Sequence, residues 1–443
     1  MKDQTKERFP HNLRAAFHSV ANQMRRGFGG RFNWGKRQPK AELDAQSRLL
    51  LFVQGLYLLG NAFSDTFVGV YLWKLNNDLL MIAWFFVAQY VAMALTLWIA
   101  GKQVKEGNKM NALRLGVGVA ALFYLLVLLL GARAVTYILP LGALQGAADG
   151  LFWLANNVVY FEVTDRENRD RFNGFAGLLT SFSYMIAPWI AGYLITRISD
   201  PLGYHLIFSL SLGVFLVGVV ASFFLKKRQA QDSYGWLFGV RQIAERGGPW
   251  GRISAAMAAQ GVREGVFSFA IGLLVYIATR NEMQLGNYSL ITSAIGIISY
   301  PLAGRLFERR NRLWGSLVGI VAIILAIFPF YWEISYATLL VFGIMIGVFF
   351  PLYTIPLTSV VFDVIGRDEE SASRRVEYIV LREMALNAGR VFGTLVFIGV
   401  LAQEPSHPLF TTLLVLLGSA PLAAWVLLRK WLADPVDTPV QGP

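Results

Sequence analysis

The sequence predicts an all-α integral membrane protein built from two six-helix bundles that are related by pseudo-two-fold symmetry. Three observations indicate this fold class: a shortage of charged residues, twelve long apolar segments and a repeat between the two halves of the chain. Of 443 residues, 55% are hydrophobic and 15% are charged, whereas roughly a quarter of the residues of a soluble chain are charged. So few charged residues could not cover the surface of a soluble protein of this length.

Apolar windows of about 20 residues, the length at which a helix crosses a bilayer, define the predicted elements. In chain order the twelve predicted spans are 49–73, 79–100, 111–131, 135–161, 174–196, 204–225, 253–278, 285–304, 313–332, 336–362, 376–401 and 408–428.

Local matches in the same order relate the first six spans to the last six. Each match is a short identity or near-identity at an offset of about two hundred positions: Gln54-Gly55 with Gln260-Gly261, Gly142 with Gly343, Phe161-Glu162-Val163 with Phe362-Asp363-Val364, and Gly192 with Gly393. Fixed-offset similarity is typical of proteins built from internal structural repeats. It predicts two bundles of the same construction.

The spans and the repeat divide the chain into five parts. These are a basic tail at 1–48, an N-terminal bundle at 49–225, a basic linker at 226–252, a C-terminal bundle at 253–430 and a short tail at 431–443. No apolar core precedes Leu49, so the first part is expected to be a cytoplasmic tail and not a signal peptide. Within it, Leu13, Phe17, Val20, Met24 and Phe28 recur at helical spacing. An interfacial helix and a disordered basic tail are both open.

The distribution of basic residues between loops indicates the membrane topology. The net charge is +12, but most lysines and arginines lie in loops before odd-numbered spans and after even-numbered ones, and the opposite loops hold only Lys74, Arg133, Arg197 and Arg280. Because positively charged loops stay in the cytoplasm, we expect a multi-pass protein of the cytoplasmic membrane with both termini in the cytoplasm. A basic surface that binds nucleic acid is not expected.

Metal and cofactor chemistry is not expected. The chain has no cysteine, and its four histidines lie outside or at the ends of the spans without ligand spacing. Gly30 to Lys36 imitates a phosphate-binding loop, but Arg37 stands where a Ser or Thr must bind magnesium. Without a motif for ATP hydrolysis, a gradient would have to drive any work the protein does.

One loop motif resembles a known family. Between spans 8 and 9 the segment Gly304-Arg305-Leu306-Phe307-Glu308-Arg309-Arg310-Asn311-Arg312 resembles the Gly-x-Leu-x-Asp-Arg-x-Gly-Arg loop of the major facilitator superfamily, with Glu for Asp and Asn for the second Gly. The equivalent loop of the first half, Ala100 to Lys109, keeps Gly107 and the basic residues but has Val104 at the acidic position. The resemblance extends over nearly all of residues 49–430.

This resemblance implies alternating access, with spans 1, 4, 7 and 10 lining a central cavity and spans 2, 5, 8 and 11 beside them. It also implies a gate at the loop, where Glu308 would cap a nearby helix and Arg309 would reach Asp363 at the end of span 10. A static surface ion pair is the alternative. The candidate gating residues are Gly304, Glu308, Arg309, Arg312, Glu162 and Asp363.

Seven charged residues lie well inside predicted spans, away from the span ends: Asp65, Asp149, Arg263, Glu264, Arg382, Glu383 and Arg390. Each costs roughly 2.5–3.5 kcal/mol at the membrane centre. We therefore expect them to face the interior, together with the polar residues that share their helix faces at spacings of three, four, seven or eleven. The candidate cavity residues are Gln54, Asn61, Asp65, Gln145, Asp149, Asn156, Gln260, Arg263, Glu264, Arg382, Glu383, Asn387 and Arg390.

Ion pairs across the cavity are expected among these residues. Because adjacent residues on a helix do not face each other, we expect Arg263 to pair with Glu383 or Asp65, and Glu264 to pair with Arg382 or Arg390. Purely structural pairs are the alternative. Asp65 and Asp149 have no basic neighbour in sequence, and burial disfavours a charged carboxyl group. They are the candidate proton carriers.

The sequence thus predicts a secondary active transporter and not an enzyme. Three arginines among acids and aromatics suit a small organic solute that is amphiphilic or anionic. Proton-coupled export is favoured because Gly174, Ser183, Ala187-Pro188 and Ala191-Gly192 in span 5 resemble an antiporter motif of the family, although small-residue helix packing explains the same pattern. Proton-coupled uptake of a sugar, peptide or organic anion, and a membrane receptor that transports nothing, are the alternatives. The expected partners are the solute, protons and the lipid bilayer around a monomer.

Overall fold

The computed structural model describes residues 43–164, 169–198, 201–227, 233–245, 247–306, 311–365 and 373–433. Over these ranges the chain is almost entirely helical and contains no strand. The interfacial helix considered for the N-terminal tail lies outside the described residues. An all-α fold is therefore confirmed for the described chain.

The described residues form twelve long helices, numbered here in chain order, and each overlaps one predicted span. They are α1 (Ala45–Asn76), α2 (Leu79–Glu106), α3 (Lys109–Leu130), α4 (Ile138–Val163), α5 (Arg169–Arg197), α6 (Leu202–Ser222), α7 (Trp250–Thr279), α8 (Glu282–Leu306), α9 (Arg312–Leu325), α10 (Tyr336–Ile365), α11 (Arg375–Leu401) and α12 (His407–Ala433). A short linker helix, Phe238–Ala244, lies between α6 and α7.

Ten helices of the described chain are long and apolar enough to cross a membrane, and α1 and α8 are not among them. Both carry polar side chains that line the molecule's interior, such as Asp65 on α1 and Ser289, Thr292 and Ser293 on α8, and these lower the mean hydropathy. The chain is a multi-pass membrane protein. That α1 and α8 also cross remains a prediction, favoured by their length and by their packing among the other helices.

Local chemistry sets the helix ends. Asp44, Asp78 and Asn108 precede α1, α2 and α3, and each side chain accepts a hydrogen bond from a backbone N–H of the first turn. Such caps satisfy amides that have no partner within the helix. Asn77 and Arg280 both have a φ of 51°, and each ends its helix in a left-handed turn. These two positions are equivalent under the repeat, and each produces a tight reversal into the next helix.

The helix contacts of the first half recur in the second half. In the first half α2 packs on α4, α3 on α4 and α6, and α1 on α5 and α6; in the second, α8 packs on α10, α9 on α10 and α12, and α7 on α11 and α12. The two halves meet where α2 packs on α11 and where α5 packs on α8. These two interfaces are themselves related by the repeat, as pseudo-two-fold symmetry requires. We call the end of the molecule at which α1 begins and α2 ends the basic end.

Glycines allow the tightest helix crossings. A Cβ atom on Gly146 of α4 would lie 2.0 Å from the carbonyl oxygen of Gln89 on α2, and one on Gly389 of α11 would lie 1.9 Å from that of Ala258 on α7. Small residues let helix backbones approach closely inside a membrane, where packing replaces the hydrophobic effect as the source of association. Gly192 serves the α5–α8 interface in the same way, since its Cβ would lie 2.5 Å from the carbonyl oxygen of Glu282.

The α2–α4 crossing predicts a stability difference between two glycine substitutions. Gly146→Ala should lower the melting temperature in detergent, because the new methyl group forces α2 and α4 apart and such overpacking costs about 1–3 kcal/mol. Gly118→Ala on α3 is the matched control, since no atom lies within 4 Å of its Cβ position. Intrinsic tryptophan fluorescence during heating measures both. Equal melting temperatures for the two variants would contradict the close crossing.

Candidate functional site

A cavity of about 770 Å³ lies between the two halves. It is lined by α1, α2, α4 and α5 from the first half and by α7, α8, α10 and α11 from the second. Its volume falls within the range of about 300–1,000 Å³ found for small-molecule sites. The charged residues of its lining are Asp65, Arg263, Glu264 and Arg390.

Asp65 and Asp149 form an acidic wall on the first-half side. Asp65 accepts a hydrogen bond from the amide of Gln145 at 3.0 Å, and the hydroxyl of Tyr184 lies near its carboxylate. Asp149, just behind the lining, accepts one from the hydroxyl of Tyr57 at 2.8 Å and one from the amide of Gln89 at 3.1 Å. Only neutral donors contact these carboxylates, and neither forms an ion pair within the described chain.

The sequence pattern did not identify Tyr57, Gln89 and Tyr184 as parts of this wall. Tyr57 stands three residues after Gln54 and eight before Asp65, so it shares the polar face of α1. An aromatic residue is usually taken as core, and here it is that too, because the Tyr57 ring stacks on the buried ring of Phe152. Its hydroxyl group nevertheless reaches the carboxylate. A tyrosine on a polar helix face is therefore a candidate site residue as well as a core residue.

Glu264 and Arg390 form an ion pair on the second-half side. Glu264 Oε2 lies 3.0 Å from Arg390 Nη2, and Glu264 Oε1 accepts a hydrogen bond from Gln260 at 2.7 Å. Arg390 also donates to Asn387 Oδ1 at 3.1 Å. The expected pairing of Glu264 with Arg390 is present, and it joins α7 to α11.

The expected pairing of Arg382 across the cavity is wrong. Arg382 Nη1 lies 2.6 Å from Glu383 Oε1, the carboxylate of the next residue, and the Arg382 guanidinium lies over the ring of Phe362. The rule that adjacent residues point apart applies to their Cβ atoms, but a long arginine side chain can turn back along the helix. Neither Arg382 nor Glu383 lines the cavity.

The expected pairing of Arg263 with Glu383 or Asp65 is also wrong. The guanidinium of Arg263 lies 4.9 Å from the ring centroid of Phe267 and 5.5 Å from that of Phe350, so aromatic rings occupy the positions where a carboxylate was expected. Arg263 is only 4% exposed and lines the cavity. A cation over an aromatic ring is stabilised by the ring's negative face.

The remaining predicted cavity residues occupy different places. Asp149, Gln260 and Asn387 contact the lining residues, whereas Gln54, Asn61 and Asn156 are buried but do not line the cavity. The predicted site thus separates into a lining, a layer of supporting polar groups behind it, and buried polar residues elsewhere in the two halves.

Within the described residues two ion pairs join the halves, one at each end of the molecule. At the basic end Lys105 of α2 pairs with Glu377 of α11, and their side chains are 2% and 1% exposed. At the opposite end Lys74 of α1 pairs with Glu282 of α8 at 2.9 Å, and the hydroxyl of Tyr204 donates to the same carboxylate. The sequence pattern identified neither pair, because the partners are far apart in the chain and no local spacing connects them.

The linker, which the sequence predicts as a boundary between the bundles, crosses the basic-end pair. Its backbone amides at Tyr234 and Gly235 donate to Glu106 of α2 and to Glu377 of α11. The indole ring of Trp236 packs on Trp98 with ring centroids 5.1 Å apart. Burial, with the Glu377 charge nearby, raises the pKa of the Tyr234 hydroxyl well above its ordinary value, so this ring stays neutral in the interface. The linker thereby holds α2 and α11 together.

The candidate gating residues are only partly described. Glu308 and Arg309 lie outside the described residues. Asp363 accepts a hydrogen bond from Arg312 Nη1 at 3.2 Å, and its expected contact with Arg309 lies outside the described residues. Glu162 pairs with Lys109 in the equivalent place of the first half. Each of these pairs joins the start of one helix to the end of the next, and Gly304 has open space around its Cβ position.

Comparisons with known proteins agree with this architecture. The sequence profile of the Major Facilitator Superfamily matches residues 50–373. The uncharacterized protein YqgE of Bacillus subtilis (strain 168) is 41% identical over 355 residues, which cover 80% of this chain and 82% of YqgE. The nucleoside transporter NupG has a similar structure, with a TM-score of 0.64 and 14% identity over 88% of this chain and 99% of its own.

A bacterial homologue of the iron transporter ferroportin in its outward-facing state gives the same TM-score of 0.64, with 17% identity over 88% of this chain and 99% of its own. At such low identity these two solved structures support the fold alone.

The Glu264–Arg390 pair predicts non-additive losses of stability. Glu264→Gln and Arg390→Gln should each lower the melting temperature, because a buried charge left without its partner costs about 3–5 kcal/mol. The double variant should lose less than the sum of the single losses. The same cycle on Arg312 and Asp363, whose carboxylate side chain is 45% exposed, is the control and should give a coupling below about 1 kcal/mol. Additive losses at Glu264 and Arg390 would show that the pair does not contribute to stability.

Proposed function

Because the chain belongs to the Major Facilitator Superfamily and is a membrane transporter rather than an enzyme, we propose that it is a proton-coupled secondary transporter of a small organic, amphiphilic or anionic, solute. The observation that carries this proposal is the charged cavity between two repeated halves that ion pairs join at both ends. We propose that a solute held there is reached from one side when the contact at that end opens, and from the other side when the opposite contact opens. This is the geometry that alternating access requires.

Asp65 and Asp149 are the proposed proton carriers. Their contacts come from hydroxyl and amide donors, which can accompany either charge state, whereas a salt bridge would hold a carboxylate ionised. The positive charge of Arg390 attracts the Asp149 carboxylate from a distance, without an ion pair between them. Protonation of either acid removes a negative charge from one wall of the cavity, and so changes the balance between conformations that expose that wall differently.

We propose that the Lys105–Glu377 pair, with the linker across it, closes the cytoplasmic side. The assignment of the basic end to the cytoplasm rests on the distribution of lysines and arginines between loops. Export is the proposed direction, on the resemblance of the α5 pattern to that of antiporters. The close contact of Gly192 with α8 explains part of this pattern by packing alone, so uptake is the alternative outcome of a flux assay.

Distance measurements between spin labels test alternating access without a known solute. The natural chain has no cysteine, so labels can be placed through Gln103→Cys with Ser373→Cys at the basic end and Asn76→Cys with Gln284→Cys at the opposite end. A transporter should populate states in which one distance lengthens while the other shortens. A receptor that transports nothing should show a single distance at each end under all conditions, and that result would reject the proposal.

The proton carriers predict a pH-dependent conformational balance. Between pH 5 and 8 the distance populations of the parent should shift, and Asp65→Asn or Asp149→Asn should remove most of the shift, because an amide keeps the shape of the carboxyl group but cannot exchange a proton. Asp78→Asn is the matched control, since Asp78 caps α2 outside the cavity. If both cavity variants retain the parental shift, other groups carry the proton or the coupled ion is not a proton.

The proposed gate predicts that single charge removals open the basic end. In Glu377→Gln the buried charge of Lys105 loses its partner, at a cost of about 3–5 kcal/mol in the closed state. In Lys105→Gln the carboxylate of Glu377 keeps Arg374 at 3.2 Å but loses its buried partner, so the Gln103–Ser373 label distance should lengthen in both variants and more in Glu377→Gln. The double variant should recover much of the closed population. Lys102→Gln is the control, because that lysine is 52% exposed and should change little. Closed populations that match the parent in both single variants would exclude this pair as the gate.

A further inference from the structure

Arg263 carries a buried charge that the protein itself does not neutralise by an ion pair. It is 4% exposed, it lines the cavity, and no acidic side chain of the described residues forms an ion pair with it. Its Nε atom has no hydrogen-bond partner within the described chain. A guanidinium remains charged at any physiological pH, so this site cannot lower its cost by losing a proton. A buried cation of this kind calls for an anion.

The nearest acidic group is already occupied. Glu264 follows Arg263 in the chain, but both of its oxygens accept hydrogen bonds, one from Gln260 at 2.7 Å and one from Arg390 at 3.0 Å. The charge of Glu264 is therefore shared with Arg390. Arg263 and Arg390 together bring two positive charges to this wall of the cavity, and Glu264 supplies one negative charge.

The surroundings of Arg263 leave its hydrogen-bond donors available. The rings of Phe267 and Phe350 lie against the guanidinium, and ring faces stabilise a cation without using its N–H groups. The buried hydroxyl of Tyr353 stands close to the guanidinium and also has no hydrogen-bond partner in the part of the chain described. The N–H groups of a guanidinium lie in one plane, and when no protein acceptor occupies them they match the two oxygens of a carboxylate.

We propose that Arg263, with Tyr353 behind it, forms a carboxylate subsite, and that the transported solute is an organic anion with an apolar body. The apolar body would lie along aromatic surfaces of the same cavity, where Phe86 of α2 stacks on Phe269 of α7 with ring centroids 4.5 Å apart. This inference rests on the proposed function, because it takes the cavity between the halves to be the solute site.

Ligand-dependent thermal unfolding of the purified full-length protein tests the subsite. The probes are the phenyl-substituted fatty acids from phenylacetate to 6-phenylhexanoate, with the corresponding neutral amides, and inorganic phosphate as an anion without an apolar body. At millimolar concentration at least one carboxylate should raise the melting temperature by several degrees. Its amide and phosphate should not. Equal stabilisation by acid and amide, or no stabilisation by any carboxylate of the series, would overturn the proposal.

Substitutions assign the effect to Arg263. Arg263→Gln should weaken the dissociation constant of the best carboxylate at least tenfold, and Tyr353→Phe should weaken it to a smaller extent. Arg280→Gln is the matched control, because Arg280 also lies over an aromatic ring, that of Trp73 at 4.5 Å, but outside the cavity. Without ligand, Arg263→Gln should melt at or above the parental temperature, since an uncompensated charge has been removed. A lower melting temperature with unchanged carboxylate affinity would make Arg263 a structural residue and reject the subsite.

The carboxylate-binding experiment and the spin-label measurements can reject the two proposals separately. If no carboxylate binds while the label distances still alternate, the protein is a transporter and the anion subsite is wrong. If carboxylates bind at Arg263 but the distances at both ends stay fixed, the subsite stands and the transport mechanism is wrong. A tenfold loss of affinity in Arg263→Gln together with alternating distances supports both proposals.

Discussion

The structure depends on one constraint: a polar or charged side chain on a membrane-spanning helix cannot face lipid without a large cost. Every long helix that carries such residues must turn them toward another helix or toward an end of the molecule. Asp65, Arg263, Glu264 and Arg390 turn inward and define the cavity. The Lys105–Glu377 and Lys74–Glu282 pairs lie at the ends and join the halves there. The cavity and the contacts at the ends thus both follow from the cost of exposing polar side chains to lipid.

The repeat fixes the scaffold but not the chemistry of the two halves. Equivalent helix contacts recur in both, and the Lys109–Glu162 and Arg312–Asp363 pairs occupy equivalent places. The cavity walls differ, because the first half contributes carboxylates with neutral donors and the second contributes two arginines with one glutamate. A duplicated scaffold with different walls gives a polar axis across the cavity. A solute with a charged group therefore has one preferred orientation between the halves.

The sequence predicts the helices well because hydropathy and helical spacing are local properties, and each predicted span overlaps one long helix of the described chain. The Glu264–Arg390 pair follows from the polar faces of α7 and α11. The Arg382–Glu383 pair does not, because rotamers of long side chains are not encoded in spacing. Nor can a single sequence locate Lys105 against Glu377, which requires the register between two halves. The contacts of the linker with α2 and α11 are not predicted either, because the basic residues of 226–252 indicate only a boundary between the bundles.

The two end pairs differ in burial, and this difference bears on how the halves move. Lys105 and Glu377 are almost fully buried, and the linker crosses them, whereas the side chain of Lys74 at the opposite end is 25% exposed. Breaking the buried pair leaves Lys105 desolvated without its carboxylate and leaves Glu377 with Arg374 at 3.2 Å, whereas water already reaches the more exposed pair and replaces part of its attraction. The opposite end therefore opens at lower cost, and opening of the basic end needs an added contribution. In the proposed mechanism, an anion held between Arg263 and the first-half wall supplies such a contribution, and protonation of Asp65 removes the repulsion between that wall and the anion.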